Sequence, residues 1–560
     1  MTRDVETTPP CPPTSLGKFD AIVIGAGFAG LHMLHRLRES GFSAHGFETG
    51  SGVGGTWYWN RYPGARCDSD AMFYSYSFLS EIEQEWPHEE RYPRQETIVR
   101  YLELVADRLD LRKDFTFDTR VDRITYDEPR RRWVVASANG IEATARFVIT
   151  AVGGLSAPNL PRYPGAETFR SECYHTGSWP HEPVSFADKR VGVLGTGSSG
   201  VQVIPEIAKE AAQLTVFQRT PNYVIPAVNG ALDPQVVAMW KANYQEIRRR
   251  TRKNAGGMPY PRLQYTAAEL SPEQQRSTLE AGWQRGGVLF VTATFSDSLT
   301  NMSANTVVAD FVRSKIDEIV EDPQTARKLK PTTHPWATKR VPVGTNYYET
   351  FNRPNVSLVD LRDDPVEEIT PSGIRTRSGD HPLDAIVYAT GYDALTGSLL
   401  ALNICGRGGE RLATAWEAGP RTYLGLMVPN FPNLFTITGP GSPSVLTNVP
   451  AATEQHVEWV AELLNHLRAR DVESIEPTED ATTEWTQHVE DVASETLYPL
   501  ADSWYMGANI PGKPRRFLAY LGGLDTYAER CGAIAADGYR GFELAAAADA
   551  GPQEVLYGAR

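Results

Sequence analysis

The chain alternates between short, fully apolar runs that end in glycine and longer stretches with helical spacing. Asp20 to Gly27, DAIVIGAG, reads as a buried parallel strand. Leu31, Leu34 and Leu37 then recur at helical spacing until Gly41, and a second strand-like run ends at Glu48. Leu102 to Leu111 reads as an amphipathic helix. Phe117 to Ala136 and Ala143 to Val152 alternate like strands of a small antiparallel excursion. The cycle restarts at Lys189, KRVGVLGTGSSG, with Val201, Ile204 and Ile207 on one helix face and LTVFQRT as the next strand. From 230 to 333 the pattern is helical, with Asp233-Pro234 and Ser271-Pro272 as cap pairs and Phe311, Lys315 and Ile316 continuing it. DAIVYATGYD (Asp384 to Asp393) and FPNLFTITGPGSPS (Phe431 to Ser444) return to strands, and His456, Val457 and Val460 open a late helix.

This order predicts an α/β protein with two Rossmann-like dinucleotide-binding domains and an inserted helical subdomain. GAGFAG (Gly25, Gly27, Gly30) and GTGSSG (Gly195, Gly197, Gly200) each follow a strand and open a helix. In that context the glycines let the backbone approach a pyrophosphate at a helix N-terminus. Glu48, at the end of the first fold's second strand, suits ribose hydroxyls and repels a 2′-phosphate. Gln218, followed by Arg219 and Thr220, takes the same place in the second fold and invites one. The first site is therefore expected to hold FAD and the second NADPH. For Arg219 a solvated strand end remains the alternative.

Composition narrows the class. A chain of 560 residues predicts several domains, and 55 basic against 69 acidic residues give a net charge of −14, with no pull toward nucleic acid or anionic membrane. The basic run RRRTRK, Arg248 to Lys253, reads as a solvated helix end. Five scattered cysteines without CxxC fit reduced thiols in a cytoplasm and argue against disulfide reductases. No apolar run approaches the roughly 18 residues that span a bilayer. Residues 1–17 read as a loose tail rather than a signal peptide.

Three further stretches carry a family resemblance. FRSECYHTGSWP resembles the FxGxxxHxxxWP fingerprint of type I Baeyer–Villiger monooxygenases through Phe169, His175, Trp179 and Pro180. Ser171 departs from it, standing where the family has a glycine that can take φ > 0. GGTWYWNRYPGARCDSD resembles a second signature of that family through Gly54, Gly55, Trp57, Tyr62, Pro63, Gly64 and Asp68. On residue type alone, Asp68 equally suits a surface ion pair with Arg61 or Arg66. THPWATKRVPVG supplies the third, with Lys339 and Arg340. Within the family the text is closest to phenylacetone and steroid monooxygenases.

The resemblance implies an FAD domain at 18–155 and 391–545, an NADP domain at 156–225 and 334–390, a helical insertion at 226–333 shaping a substrate vestibule, and tails at 1–17 and 546–560. It also implies a cycle. NADPH reduces FAD, O₂ adds at flavin C4a, and the peroxyflavin attacks a ketone that rearranges to an ester or lactone. Arg340 would hold the peroxide anion and Asp68 would orient Arg340, while His175 would couple the two nucleotide domains. Lys339 would lie near the 2′-phosphate. Ser444, Val445, Leu446 and Trp504 would line the substrate site, with Gly55, Trp57 and Tyr62 at the cofactor. The expected partners are a small ketone and O₂, with no nucleic acid, membrane or metal, and a cytoplasmic monomer is expected. One rival reading is a heteroatom-oxidising flavin monooxygenase (sulfoxidation or N-hydroxylation), which would lack Trp179-Pro180 and the Gly54–Asp68 signature. The other is a non-catalytic redox sensor, which would tolerate loss of Arg340.

Overall fold

The computed structural model describes residues 14–260, 263–292 and 294–546. The expected tails at 1–13 and 547–560 lie outside the described residues. The first strand begins at Thr14 rather than beyond residue 17, because Thr14 and Ser15 pair in register with Ile141 and Glu142.

Two sheets organise the chain, the first mixed and the second all parallel. In the first, of eight strands, Thr14–Ile24 lies between Ala44–Phe47 and Ile141–Thr150, and Leu434–Thr436 pairs with Ile141–Thr150. The expected antiparallel excursion is the pair Val121–Asp127 and Arg132–Ser137, joined to the same sheet. In the second, of five strands, the order is Val356–Asp360, Gln213–Gln218, Arg190–Leu194, Ala385–Tyr388 and Glu172–His175, every pair parallel. Helices Phe28–Glu39 and Ser198–Glu210 follow the two fingerprints.

Steric limits explain the fingerprints. Gly25 (φ +105) and Gly195 (φ +108) turn beneath the returning strand, where a Cβ would stand 2.6 Å from the Ala151 carbonyl oxygen and 2.4 Å from that of Ala389. A Cβ on Gly30 or Gly200 would strike the carbonyl oxygen of Gly25 or Gly195 at 1.7 and 2.3 Å. Each helix can close on its strand only with glycine there. Gly27 and Gly55 meet face to face: a Cβ on Gly55 would lie 2.8 Å from the Gly27 Cα, and one on Gly27 would lie 3.3 Å from the Gly55 Cα. Ser171 is not among the residues with positive φ, so it replaces the family glycine without backbone strain.

The inserted helices have the caps expected. Asp233 accepts from the Gln235 N–H, and Ser271 forms a capping box with Gln274. Phe290, Val308 and Val312 pack into a core shared with the flanking segments through Tyr223 and Trp336. The run RRRTRK is not uniformly solvated. In helix Tyr244–Arg252 the inward face carries Tyr244, Arg248 and Thr251, all buried. Arg248 Nε lies 2.6 Å from Glu83 Oε1, and its Nη2 donates to Ser75 Oγ at 2.8 Å. Burial of this side chain is possible only because Glu83, itself buried, neutralises it. The late helix starts at Val449 rather than near His456, since Pro450 fits its first turn without losing a hydrogen bond. No described helix is long and apolar enough to cross a membrane.

Burial holds several of the described histidines below their usual range, three of them far below it. Burial pushes His88 down to about 4, and His334 and His456 each to about 3. His456 Nδ1 accepts the Thr438 N–H at 3.1 Å, which fixes it in its neutral form. Unfolded, each would titrate near 6.5. Their folded values are depressed, so stability is full above pH 6.5 and falls as the pH drops through the window from about 6.5 to 3. The unfolding midpoint is expected to decline steadily below pH 6.5, and His456→Gln should flatten that decline. A midpoint independent of pH between 6.5 and 4 would contradict it.

Candidate active site between the two nucleotide folds

A cavity of about 550 Å³ opens between the folds, walled by the second fingerprint, Asp68, Lys339 and Arg340, and the Ser444–Val445 and Asp502–Trp504 turns. Asp68 belongs to the first fold and Arg340 to the segment leading into Val343–Gly344. They meet across the boundary, with Arg340 Nε and Nη2 at 3.1 and 2.5 Å from Asp68 Oδ2. Nη1 donates to the Val445 carbonyl at 3.1 Å, from a turn in which Ser444 has φ +33. Three of the guanidinium's five N–H donors are thus committed, which fixes the plane of the fork. Asn222 Nδ2 holds the Arg340 backbone carbonyl at 2.9 Å. The charge of Asp68 drives Arg340 further above its already high value, against the effect of desolvation. Neither alternative partner takes Asp68, since Arg66 pairs with Glu90 at 3.2 Å and Arg61 Nε donates to the Tyr58 carbonyl at 3.0 Å.

Lys339 Nζ donates to the Asp502 backbone carbonyl. Burial lowers the Lys339 ammonium, and the nearby Arg219 lowers it further. Arg219 is exposed at the same wall, and Thr220 is anchored through its carbonyl by Thr196 Oγ1 at 3.2 Å. Two cations gathered at one wall, with no carboxylate side chain among the described residues paired to either, suit an anionic group. Trp57 and Tyr62 also face the cavity; Trp57 Nε1 donates to Tyr74 Oη at 3.1 Å. Trp504 stands at the rim against Tyr505, ring centroids 4.0 Å apart.

Not every expected residue converges there. Leu446 is absent from the cavity wall and packs on the first fold's apolar core, because its short 3₁₀ turn points successive side chains to different sides. His175 does not face the cavity either. Its Nδ1 accepts the Gly177 N–H at 2.9 Å, its Nε2 lies 3.4 Å from Thr390 Oγ1, and burial lowers its pKa. Buried behind the wall, the imidazole does not reach the cavity. Its loop does touch the first fold, since the Trp179 N–H reaches the Trp59 carbonyl at 3.2 Å.

The fingerprints fit phosphate-bearing cofactors. Neither helix has a side-chain cap at its N-terminus, and a Cβ on Gly197 would meet no heavy atom within 4 Å. That leaves backbone N–H groups and open space for a pyrophosphate. Gly25, Gly27, Gly30 and Glu48 lie away from the cavity. Glu48 is buried, with Oε2 and Oε1 each accepting a backbone N–H at 2.7 Å from Ala26 and Gly50. Burial pushes its carboxyl up while those two N–H groups pull it down. The sequence offered no sign of Val445's carbonyl or Asn222 as anchors of Arg340, because backbone acceptors and a lone Asn carry no motif.

Fold and cavity together define a two-nucleotide flavin monooxygenase with an Arg–Asp pair where the folds meet. Residues 18–250 match the flavin-binding monooxygenase-like family. The chain is 43% identical over 524 residues to a Baeyer–Villiger monooxygenase of Pseudooceanicola batsensis, covering 93% of this chain and 95% of that one. It is 42% identical over 530 residues to a phenazine N-monooxygenase of Lysobacter antibioticus, covering 94% and 97%. An oxidized steroid monooxygenase bound to NADP superposes with a TM-score of 0.90 at 48% identity, covering 95% of this chain and all of that one. The chain belongs to the Baeyer–Villiger monooxygenase family.

Proposed function

We propose that the protein is an FAD- and NADPH-dependent monooxygenase that inserts one atom of O₂ beside a ketone carbonyl, giving an ester or lactone with NADP⁺ and water. The observation that carries this reading is Arg340, paired with Asp68 across the boundary and facing the shared cavity. FAD, when bound and reduced by NADPH, supplies the redox chemistry that activates O₂. Arg340 holds a fixed positive charge where negative charge develops on oxygen, and stays protonated at any working pH. Asp68 orients the fork and moderates its charge. Ser444, Val445 and Trp504 form the wall against which the ketone packs. Glu48 takes the FAD ribose, and Arg219, Thr220 and Lys339 take the NADPH 2′-phosphate.

The domain division at 155, 225, 333 and 390 follows the same reading, supported by the two sheets. One chain supplies both folds and the Arg–Asp pair, which supports action as a monomer. Four free cysteines among the described residues support a cytoplasmic setting.

A second reading, oxygenation at nitrogen, is favoured by the phenazine N-monooxygenase relative. The flavin-loaded protein should be given aryl, cyclic and steroidal ketones, a heteroaromatic amine and a sulfide, with NADPH consumption and product mass recorded. Ester or lactone from a ketone is expected. Oxygenated nitrogen or sulfur products with no ester from any ketone would replace the proposal with the second reading.

Arg219→Ala is expected to raise KM for NADPH about tenfold and leave KM for NADH little changed, the lower end for a charge-assisted contact because Arg219 is exposed. Equal changes for both nucleotides would remove Arg219 from the phosphate site.

A further inference from the structure

We infer that Gln202 is a positioning residue that ties the placement of Asp68, and through it Arg340, to the helix on which NADPH is read to bind. The inference rests on the oxygenase reading above. Gln202 stands on helix Ser198–Glu210, one turn after Ser198 and Ser199, which wall the cavity at its N-terminus. Its side chain reaches into the first fold. Oε1 accepts the Tyr62 hydroxyl at 2.8 Å and the Arg66 N–H at 3.4 Å, and Nε2 donates to the Arg66 carbonyl at 3.1 Å. One amide therefore holds both backbone groups of the residue two places before Asp68.

The contact between loop and helix is close. Gly64 has φ +84, and a Cβ there would stand 2.7 Å from the Gln202 backbone oxygen and 2.9 Å from Glu206 Cγ. At Gly64 the loop that ends in Asp68 comes within contact of the helix backbone itself. Only an amide meets the chemistry, since it offers an acceptor for two donors and a donor for one carbonyl. An ionised Glu accepts only and would face the Arg66 carbonyl with a negative charge, while Leu does neither. A shift of the helix is passed through Gln202 to Arg66, and then to Asp68 and the fork of Arg340. A misplacement near 1 Å at a reacting centre costs on the order of 100-fold, so a single partly buried amide suffices to matter.

The test uses the flavin-loaded full chain and three variants, Gln202→Leu, Gln202→Glu and the milder Tyr62→Phe. Ester and hydrogen peroxide formed per NADPH are measured, together with flavin content, the rate of flavin reduction, and the change in flavin absorption as NADP⁺ is titrated. Gln202→Leu is expected to lower the ester-to-peroxide ratio at least tenfold while flavin content and reduction rate stay within threefold. The NADP⁺-induced change in flavin absorption should fall by half or more. Gln202→Glu should behave alike, and Tyr62→Phe should lower the ratio about threefold, which keeps the idea open to refutation if Gln202→Leu does not fold. Adding Gln202→Leu to Asp68→Ala should cost nothing further, because both act through one chain of contacts. Unchanged coupling in a folded variant, or losses that multiply in the double variant, would overturn the inference. Native protein that makes no ester defeats the oxygenase reading itself, whereas native ester formation beside a fully coupled Gln202→Leu defeats this inference alone.

Discussion

Arg340→Ala is expected to lower ester formation about 100- to 1,000-fold, the scale seen when a preorganised charge or donor is removed from a developing oxyanion. Flavin should remain bound, because the first fingerprint and Glu48 lie away from the cavity that Arg340 faces. NADPH should still be consumed, more slowly, with the two electrons and proton of its hydride and one proton from solvent delivered to O₂ as hydrogen peroxide. Arg340→Lys should recover only a fraction, since a point charge cannot hold Asp68 and the Val445 carbonyl in one plane. Asp68→Ala should be milder, leaving the cation in place with Val445 as its remaining anchor. Ester and peroxide per NADPH decide the matter in the folded variant, and native-like coupling in Arg340→Ala would falsify the assignment.

Glu83→Ala is expected to destabilise the protein by about 3–5 kcal/mol, because it leaves Arg248 buried without a counter-charge. The loss should appear first where the inserted helices meet the first fold, as faster hydrogen exchange in helix Tyr244–Arg252. Pairing it as Glu83→Leu with Arg248→Met should restore most of the stability, since two apolar side chains need no desolvation of charge. A single variant as stable as the parent, or a double variant worse than the single, would show that the pair is not what joins these elements.

Local signals carried most of the architecture. Both strand–glycine–helix units stand where their apolar runs place them, as do the capped insertion helices, because short-range sterics and capping decide those features. The Asp68–Arg340 pair was legible only through family resemblance, since residues so far apart share no periodicity. What escaped was orientation. Among the arginines of RRRTRK, tertiary contact with Glu83 selects Arg248 for burial, although Tyr244, Arg248 and Thr251 do trace one helix face. His175 sits in a fingerprint yet faces away from the cavity, because its strand pairs with Ala385–Tyr388 and its ring is spent on Gly177 and Thr390. Leu446 illustrates the same limit over a single turn.

The meeting of Gly27 and Gly55 bears on how such proteins can change. The ceiling is asymmetric: a Cβ on Gly55, whose φ is +53, would stand 2.8 Å from the Gly27 Cα, while one on Gly27 would stand 3.3 Å from the Gly55 Cα and asks its neighbour to give only a little. Gly55 is the position that selection cannot refill by a single step. A library randomising residues 54 to 57 should therefore return only glycine at 55 among flavin-loaded clones, whatever substrate is used for selection. Diversification of this scaffold is confined to walls built from side chains, such as the Ser444–Val445 and Trp504 turns, while the two backbones that touch at Gly27 and Gly55 are inherited as a block.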